Sequence, residues 1–386
     1  MFAHGLARAL ARTGRRVDEV SLAWPGQEPV VAERDPDVGR LLLDLGVTSM
    51  TKRSIAAQLE HFAECTGPWV EELGASQVLY SHYWLSGAYW ALAREEFPRL
   101  ARVHWAHSFH SLGRVRTRFA DDPDAALRIG WEERTIAEAD AIIVNSEAEA
   151  ADLRNLYEAV PRRLTIVPGG CSTSPWNRPR GDELRRRLGL GDAAIVLYVG
   201  RLEARKGYRI FLEVARALRD DARFTFVLVG GRAILPYEDR GRREAEAFIA
   251  RERLENVALL PAVPHAELPA IYRSADAIVL PSLYEPFGLT AIEAQASGCI
   301  PIASAVGGLT ATVADGRTGF LTEPDAAAIA ERLTWLADDP VLQARLREEG
   351  VRWATERFSW DRLAPRYLAA LRPIRERALT GPAGAQ

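Results

Sequence analysis

Two hydrophobic patterns alternate along the chain. Short apolar runs rich in β-branched residues are separated by longer stretches whose apolar positions recur with the helical period. In the first half the runs are RVDEVSLA (16–23), QVLYSHY (77–83), RVHWAH (102–107), AIIVNS (141–146) and LTIVPGG (164–170). In the second they are AAIVLYVG (193–200), FTFVLVGG (224–231), VALLPAV (257–263), AIVLPS (277–282) and IPIASA (300–305). Strands alternating with amphipathic helices predict an α/β protein with parallel sheets wrapped by helices. The stretch PGGCSTSPWNRPRGDE (168–183), rich in Pro, Gly and Ser, reads as a linker. The expectation is two doubly wound, Rossmann-like domains, 1–172 and 173–357. A helical segment, 358–380, would return toward the first domain, and 381–386 would form a loose tail. The chain opens directly on the helical FAHGLARALARTG, where a doubly wound domain ordinarily opens on a buried strand and a glycine-rich turn. Either the natural start lies upstream or the fold tolerates that loss.

One helical segment carries an anomaly. In YEPFGLTAIEAQASG (284–298), Leu289, Ile292 and Ala296 form one stripe at helical spacing. Glu293 falls inside that stripe, and Gln295 falls on the opposite side. A carboxylate turned inward without partners costs on the order of several kcal/mol. Ribose hydroxyls would satisfy it, because a carboxylate accepts from two neighbouring O–H groups. An internal hydrogen bond or a salt bridge to arginine would serve as well.

Composition narrows the class. Of 386 residues, 48% are hydrophobic and 26% charged, which is globular and ample for two cores. The net charge of −3 leaves no footprint for nucleic acid. Cys65, Cys171 and Cys299 show neither disulfide nor zinc spacing, which points to a reducing cytoplasm. No apolar run approaches the ~20 residues of a membrane span, and the start has no signal-peptide pattern. Of the 49 basic residues only Lys52 and Lys206 are lysines. Such arginine dominance fits a GC-rich genome. A lysine kept against that bias suits a site needing a compact point charge, although chance would also leave two.

The second half carries the clearest chemistry. In open α/β sheets ligands bind beyond the carboxyl ends of the strands. LYVGRLEARKG places Arg201 and Lys206 on such a loop, where two cations suit a diphosphate and where surface solvation is the plain alternative. LPSLYEPFGLTAIEAQASG places Glu285 on the next such loop and starts a helix near Gly288. That helix tip, with its unpaired N–H groups, is an anion site, and a glycine there admits close approach.

These stretches resemble the retaining glycosyltransferases of family 4, which have the GT-B fold. EPFGLTAIE matches the family's E-x7-E motif, GRLEARKG its G-R-(x)4-K-G signature, and VGGLTATVADGRTGFL its following glycine-containing loop. The resemblance implies two Rossmann-like domains facing a cleft. It implies that Arg201 and Lys206 hold the donor diphosphate and that Glu293 binds the ribose. Glu285 would contact the donor sugar, and the amides of Phe287, Gly288 and Leu289 would line its phosphate. No obligatory metal is implied, and no D-x-D motif stands in a suitable place.

In the first half, SHYWLSG (81–87) and HWAHSFHSLGRVRTRF (104–119) stand out. His104, His107 and His110 lack the register and neighbouring cysteines of a metal site, and His110 is the best-placed cleft histidine. The two stretches resemble the inositol-phosphate N-acetylglucosaminyltransferase and sucrose-phosphate synthase subgroups of the family. That likeness implies a phosphorylated acceptor gripped by Lys52, Tyr83, Ser111 and Arg128. The implied reaction moves glucose or N-acetylglucosamine from a UDP-sugar to a small phosphorylated cyclitol or sugar, with retention. UDP-sugar is then a co-substrate and no cofactor is needed. The loop HWAHSFHSLG differs in length and residues from that of the inositol-phosphate subgroup, so the acceptor's identity stays open. Two alternatives remain at this level: a non-catalytic or truncated sugar-nucleotide binder, and a GT-B epimerase. The E-x7-E pair speaks against the epimerase. Oligomeric state is unreadable.

Overall fold

The computed structural model describes residues 2–380 except 23–32, 36–37, 44–51, 73–77, 98–99, 101–102, 120–123, 159, 174–175, 177–178 and 231–235. The expected tail, 381–386, and part of the expected linker therefore lie outside the described residues. The chain divides into two compact units, Met1–Gly169 with Trp360–Gln386, and Gly170–Ser359.

Among the described residues the second unit holds one six-stranded, all-parallel sheet. Its strands are β8 (Ala194–Val199), β9 (Phe224–Val229), β10 (Val257–Leu260), β11 (Ala277–Leu280), β12 (Ile300–Ser304) and β13 (Phe320–Thr322), ordered β10-β9-β8-β11-β12-β13. The numbering counts the seven strands of the first unit, given below. Successive residues split between two cores: Ile195, Leu197 and Ile278 join one cluster, while Val196, Tyr198 and Val279 join the other. Side chains of a strand alternate between faces, and both faces are covered, which is why these strands read as continuous apolar runs. The order reverses between β8 and β11, paired through Ala277 and Val196. That reversal is the position at which open α/β sheets bind ligands.

The first unit contains two sheets among the described residues. β4 (Val78–His82), β5 (His104–Ser108), β6 (Ala141–Val144) and β7 (Leu164–Ile166) form a parallel four-stranded sheet. β1 (Val17–Leu22), β2 (Glu33–Asp35) and β3 (Val38–Leu43) form a second, in which β2 runs antiparallel. The helices Phe2–Ala11 and Trp360–Thr380 share a core of Leu6, Ala9, Trp360, Leu363 and Tyr367. Gly5 lets them approach, since a methyl group there would run into the Trp360 indole.

Every strand run read from the sequence forms a strand. β2, β3 and β13 were not anticipated. β2 and β13 have only three residues each, too few for a pattern to register.

Candidate functional site

Three loops meet beyond the carboxyl ends of β8, β11 and β12. Gly207 follows β8 with φ +71° and caps the helix Tyr208–Ala217. A side chain there would run into the carbonyl oxygen of Pro281, at the end of β11. Gly307 (φ +52°) and Gly308 follow β12 and press on Glu285 and Phe287 in the same way, with Gly308 N–H donating to Glu285 O at 2.8 Å. Leu283 N–H donates to Arg205 O at 2.8 Å. Backbone contacts thus lock the three loops, and glycine is needed because any Cβ would clash.

The cations of this region are paired with acids. Lys206 Nζ bonds Glu285 Oε2, and both side chains are largely buried. Burial pushes the Lys206 ammonium below its usual range, while Glu285 pulls it back up. Arg201 reaches Glu203 Oε1 at 2.7 Å, and Arg205 reaches Glu203 Oε2 at 3.0 Å. Read from the sequence, Lys206 was a diphosphate ligand and Glu285 a sugar ligand. The structure adds that they bind each other, and that Glu203 and Arg205 join them. Phe287 is buried, Gly288 caps the helix Leu289–Ala296 at φ +98°, and Leu289 opens it. The first N–H groups of a helix lack intrahelical partners, so this tip carries partial positive charge beside the Lys206–Glu285 pair.

Gln295 corrects one expectation. The helix Leu289–Ala296 is not amphipathic in the sense read from the wheel. Gln295, assigned there to the outer side, is 1% exposed and donates to the carbonyls of Ala291 and Thr312, both at 3.0 Å. The helix is enclosed on nearly every side, and Glu293 lies on its more open side, with its side chain still only 13% exposed. Its partners are internal: His265 Nε2 at 2.8 Å from Oε1, and the Tyr272 hydroxyl, donating to Oε2 at 3.5 Å. Among the described residues its ion pair is with His265, not with an arginine. Trp176 packs edge-on against His265, with ring centroids 5.3 Å apart. His265, Tyr272 and Trp176 were missed in the sequence because nothing local ties them to Glu293.

In the first unit, three of the four expected acceptor residues converge. Arg128 is fully buried on the helix Ala125–Glu138. Its Nη2 donates to Ser111 O and, at 3.2 Å, to Ser111 Oγ. Its guanidinium lies 5.4 Å from the Tyr83 ring centroid. Nε donates to Glu132 at 2.7 Å, while Nη1 is buried without a partner among the described residues. Glu132 also accepts from Gly113 N–H, at 2.9 and 3.1 Å, and from the Tyr157 hydroxyl. Lys52, the fourth, opens the helix Lys52–Ala56, and its side chain lies outside the described residues.

His110 sits beside this group on the loop after β5. His82 Nδ1 is 3.0 Å from its Nε2, and Asn145 Nδ2 is 3.2 Å from its Nδ1. Burial holds its pKa down at about 4. Tyr83 and His110 both adopt left-handed backbone, φ +71° and +58°. Such conformations cost a non-glycine residue on the order of 1–3 kcal/mol and cluster at functional sites. The other two histidines of the triplet are elsewhere engaged. His104 pairs with Asp140 at 3.6 Å, and His107 is buried against Ser81 at 2.7 Å. Among the described residues no group of three or more His, Cys, Asp or Glu side chains could hold a metal.

Residues 1–174 match the family model for Glycosyltransferase Family 4, and residues 181–353 match that for Glycosyl transferases group 1. The chain is 34% identical over 384 residues to the D-inositol 3-phosphate glycosyltransferase of Actinosynnema mirum, covering 96% of this chain and 90% of that one. Among solved structures it resembles the sucrose-phosphate synthase of Thermosynechococcus elongatus, with TM-score 0.84, 30% identity, and 97% and 92% of the two chains covered. An alpha,alpha-trehalose-phosphate synthase (UDP-forming) of Burkholderia vietnamiensis shares the fold at TM-score 0.73 and 18% identity, over 100% and 96% of the chains. With both halves matched and the paired motifs at the switch point of the second sheet, the chain belongs to the family 4 glycosyltransferases of the GT-B fold.

Proposed function

We propose that this enzyme transfers a hexosyl group, glucose or N-acetylglucosamine, from a UDP-sugar to a hydroxyl of a small phosphorylated cyclitol or sugar, with retention of configuration. The observation that carries the phosphorylated acceptor is the Arg128 cluster. A fully buried guanidinium with one nitrogen unpartnered among the described residues, beside Ser111 and Tyr83, supports a site for an oxyanion. The names of its relatives, an inositol-phosphate glycosyltransferase and a sucrose-phosphate synthase, support the same acceptor class.

On this reading Lys52, Tyr83, Ser111 and Arg128 bind the acceptor phosphate. Arg201, Lys206 and the amides of Phe287, Gly288 and Leu289 bind the donor diphosphate. Glu293 binds the ribose through Oε2 while His265 keeps Oε1. The bond from the anomeric carbon to the β-phosphate oxygen breaks as the acceptor hydroxyl attacks from the same face. The leaving phosphate takes the acceptor's proton. Arg201, Lys206 and the helix tip stabilise the departing charge, in the role a metal plays elsewhere. Glu285 orients Lys206 and the donor sugar, and His110 orients a reacting hydroxyl. The free thiols of Cys65, Cys171 and Cys299 fit a cytoplasmic setting.

The test is UDP release from UDP-glucose and UDP-N-acetylglucosamine, with inositol phosphate, a hexose phosphate, or the unphosphorylated acceptors, with and without chelator. Transfer that requires the phosphate and ignores the chelator is expected. Equal transfer to the unphosphorylated acceptors would remove the phosphate site. Epimerised donor, or binding of UDP without turnover, would overturn the reaction.

A further inference from the structure

The first unit holds a hydrogen-bonded chain whose donors and acceptors can be put in order. Glu149 is buried near the start of the helix Glu147–Leu156. Its Oε2 accepts two N–H groups from Asn145, the backbone at 2.8 Å and the side-chain Nδ2 at 3.1 Å. An oxygen facing two donors carries no proton. An ionised Glu149 offers only acceptors, so the Asn145 amide turns its nitrogen toward it. The same nitrogen lies 3.2 Å from His110 Nδ1 and has a second hydrogen to give. His110 Nδ1 therefore accepts, and the neutral ring carries its proton on Nε2. That atom is 3.0 Å from His82 Nδ1, which accepts in turn. His82 must then hold its own proton on Nε2, so the chain ends on a donor suited to a hydroxyl or phosphate oxygen. Burial keeps both rings neutral near pH 7, with the pKa of His110 at about 4 and that of His82 well below the usual histidine value. The rings lie nearly parallel, at 19°, and Phe2 packs on His110 at 4.4 Å.

We propose that Glu149 and Asn145 are positioning residues that fix His110 as its Nε2–H tautomer, with His82 taking that proton. The proposal rests on the reading of His110 as a site residue. Helix capping alone does not account for the arrangement. Ser146 caps the helix, its Oγ accepting from Glu149 N–H at 3.1 Å. In a capping box the acid reaches back to the cap residue's own N–H. Here it reaches one residue further and also grips a side-chain amide, which capping does not need.

The full-length protein, labelled with 15N at histidine, reports each ring's tautomer in long-range proton–nitrogen correlation spectra. His110→Gln and His82→Gln assign the two signals. Both rings are expected as Nε2–H near neutral pH. A wild-type His110 protonated on Nδ1 overturns the proposal with no variant needed. The double variant Asn145→Asp/Glu149→Gln keeps charge and size but moves the carboxylate against His110 Nδ1. It is expected to switch His110 to Nδ1–H and to lower kcat on the order of tenfold or more, with KM nearly constant. An unchanged tautomer in a folded double variant, or a switched tautomer with unchanged kcat, also overturns it. Failure of the underlying reading looks different: His110→Ala would leave kcat and both KM values as they were while the wild-type tautomer stood as described.

Discussion

The Arg128 guanidinium lies 5.4 Å from the Tyr83 ring centroid while its Nη2 holds both oxygens of Ser111. The first residue of the helix Tyr83–Glu96 and a loop serine thus share one buried cation carried by the helix Ala125–Glu138. Ser111→Ala removes only a peripheral hydroxyl, so the fold should hold. It is expected to raise the KM for a phosphorylated acceptor several-fold with kcat nearly unchanged, read by steady-state UDP release. Lys52→Ala should act in the same direction. An unchanged KM would take the altered residue out of the site.

Arg128→Ala should behave differently, because it strands Glu132 as a buried charge. Breaking a buried pair from one side costs about 3–5 kcal/mol. A large fall in Tm is expected by calorimetry, and the double variant Arg128→Met/Glu132→Gln should recover much of it without recovering acceptor binding.

For Lys206→Ala the loss should fall on turnover. Removing a group that stabilises leaving-group charge costs about 10²–10³ in kcat. Lys206→Arg is not expected to rescue it, since the planar fork cannot occupy the place of a point charge tucked against Glu285. Donor affinity, followed by UDP titration, should change less than kcat.

The Glu149 carboxyl gives a pH signature. Burial pushes its pKa up to about 7 from 4.5. A folded state with the raised acid pKa binds the proton more tightly than the unfolded chain. Its contribution to stability is therefore full below pH 4.5 and is lost as pH rises through 7. At one pKa unit per 1.36 kcal/mol this amounts to about 3 kcal/mol. Glu149→Gln should leave Tm lower than or near wild type at pH 4.5 and raise it relative to wild type at pH 8. A Tm difference that does not vary with pH would contradict the shifted pKa.

Two glycines with similar backbone separate strain from contact. Gly307 (φ +52°) faces the Glu285 carbonyl, whereas Gly298 (φ +73°) has nothing within 4 Å of an added methyl group. Gly298→Ala should cost only the left-handed backbone penalty, about 1–2 kcal/mol. Gly307→Ala should cost more and weaken UDP binding, measured by titration calorimetry. Equal effects would mean that the loop contact is unimportant to the donor.

The fold was legible because each strand is short, apolar and flanked by helical periodicity, and that information is local. AAIVLYVG and AIVLPS announced β8 and β11, and the two motifs pointed to the loops beyond those strand ends. Pairing was less legible. Lys206 and Glu285 are far apart in sequence, and each read as a ligand contact without its partner. Gln295 was misread because a wheel assigns one inner face, whereas the helix Leu289–Ala296 is enclosed on nearly every side. Asn145 and Glu149 did carry a local signal, the Ser146-x-x-Glu149 spacing of a helix start, but it gave no hint of His110. The link between them exists only once β5 and β6 lie side by side.

The backbone contacts of Gly207, Gly307 and Gly308 bear on how this enzyme could be re-engineered. Loops interlocked through carbonyl oxygens cannot be exchanged singly for those of another family member. A graft of the segment after β11 alone would bring a foreign path for Pro281 and Glu285 against unaltered glycines. Chimeras that change donor preference should therefore carry all three segments together as one cassette.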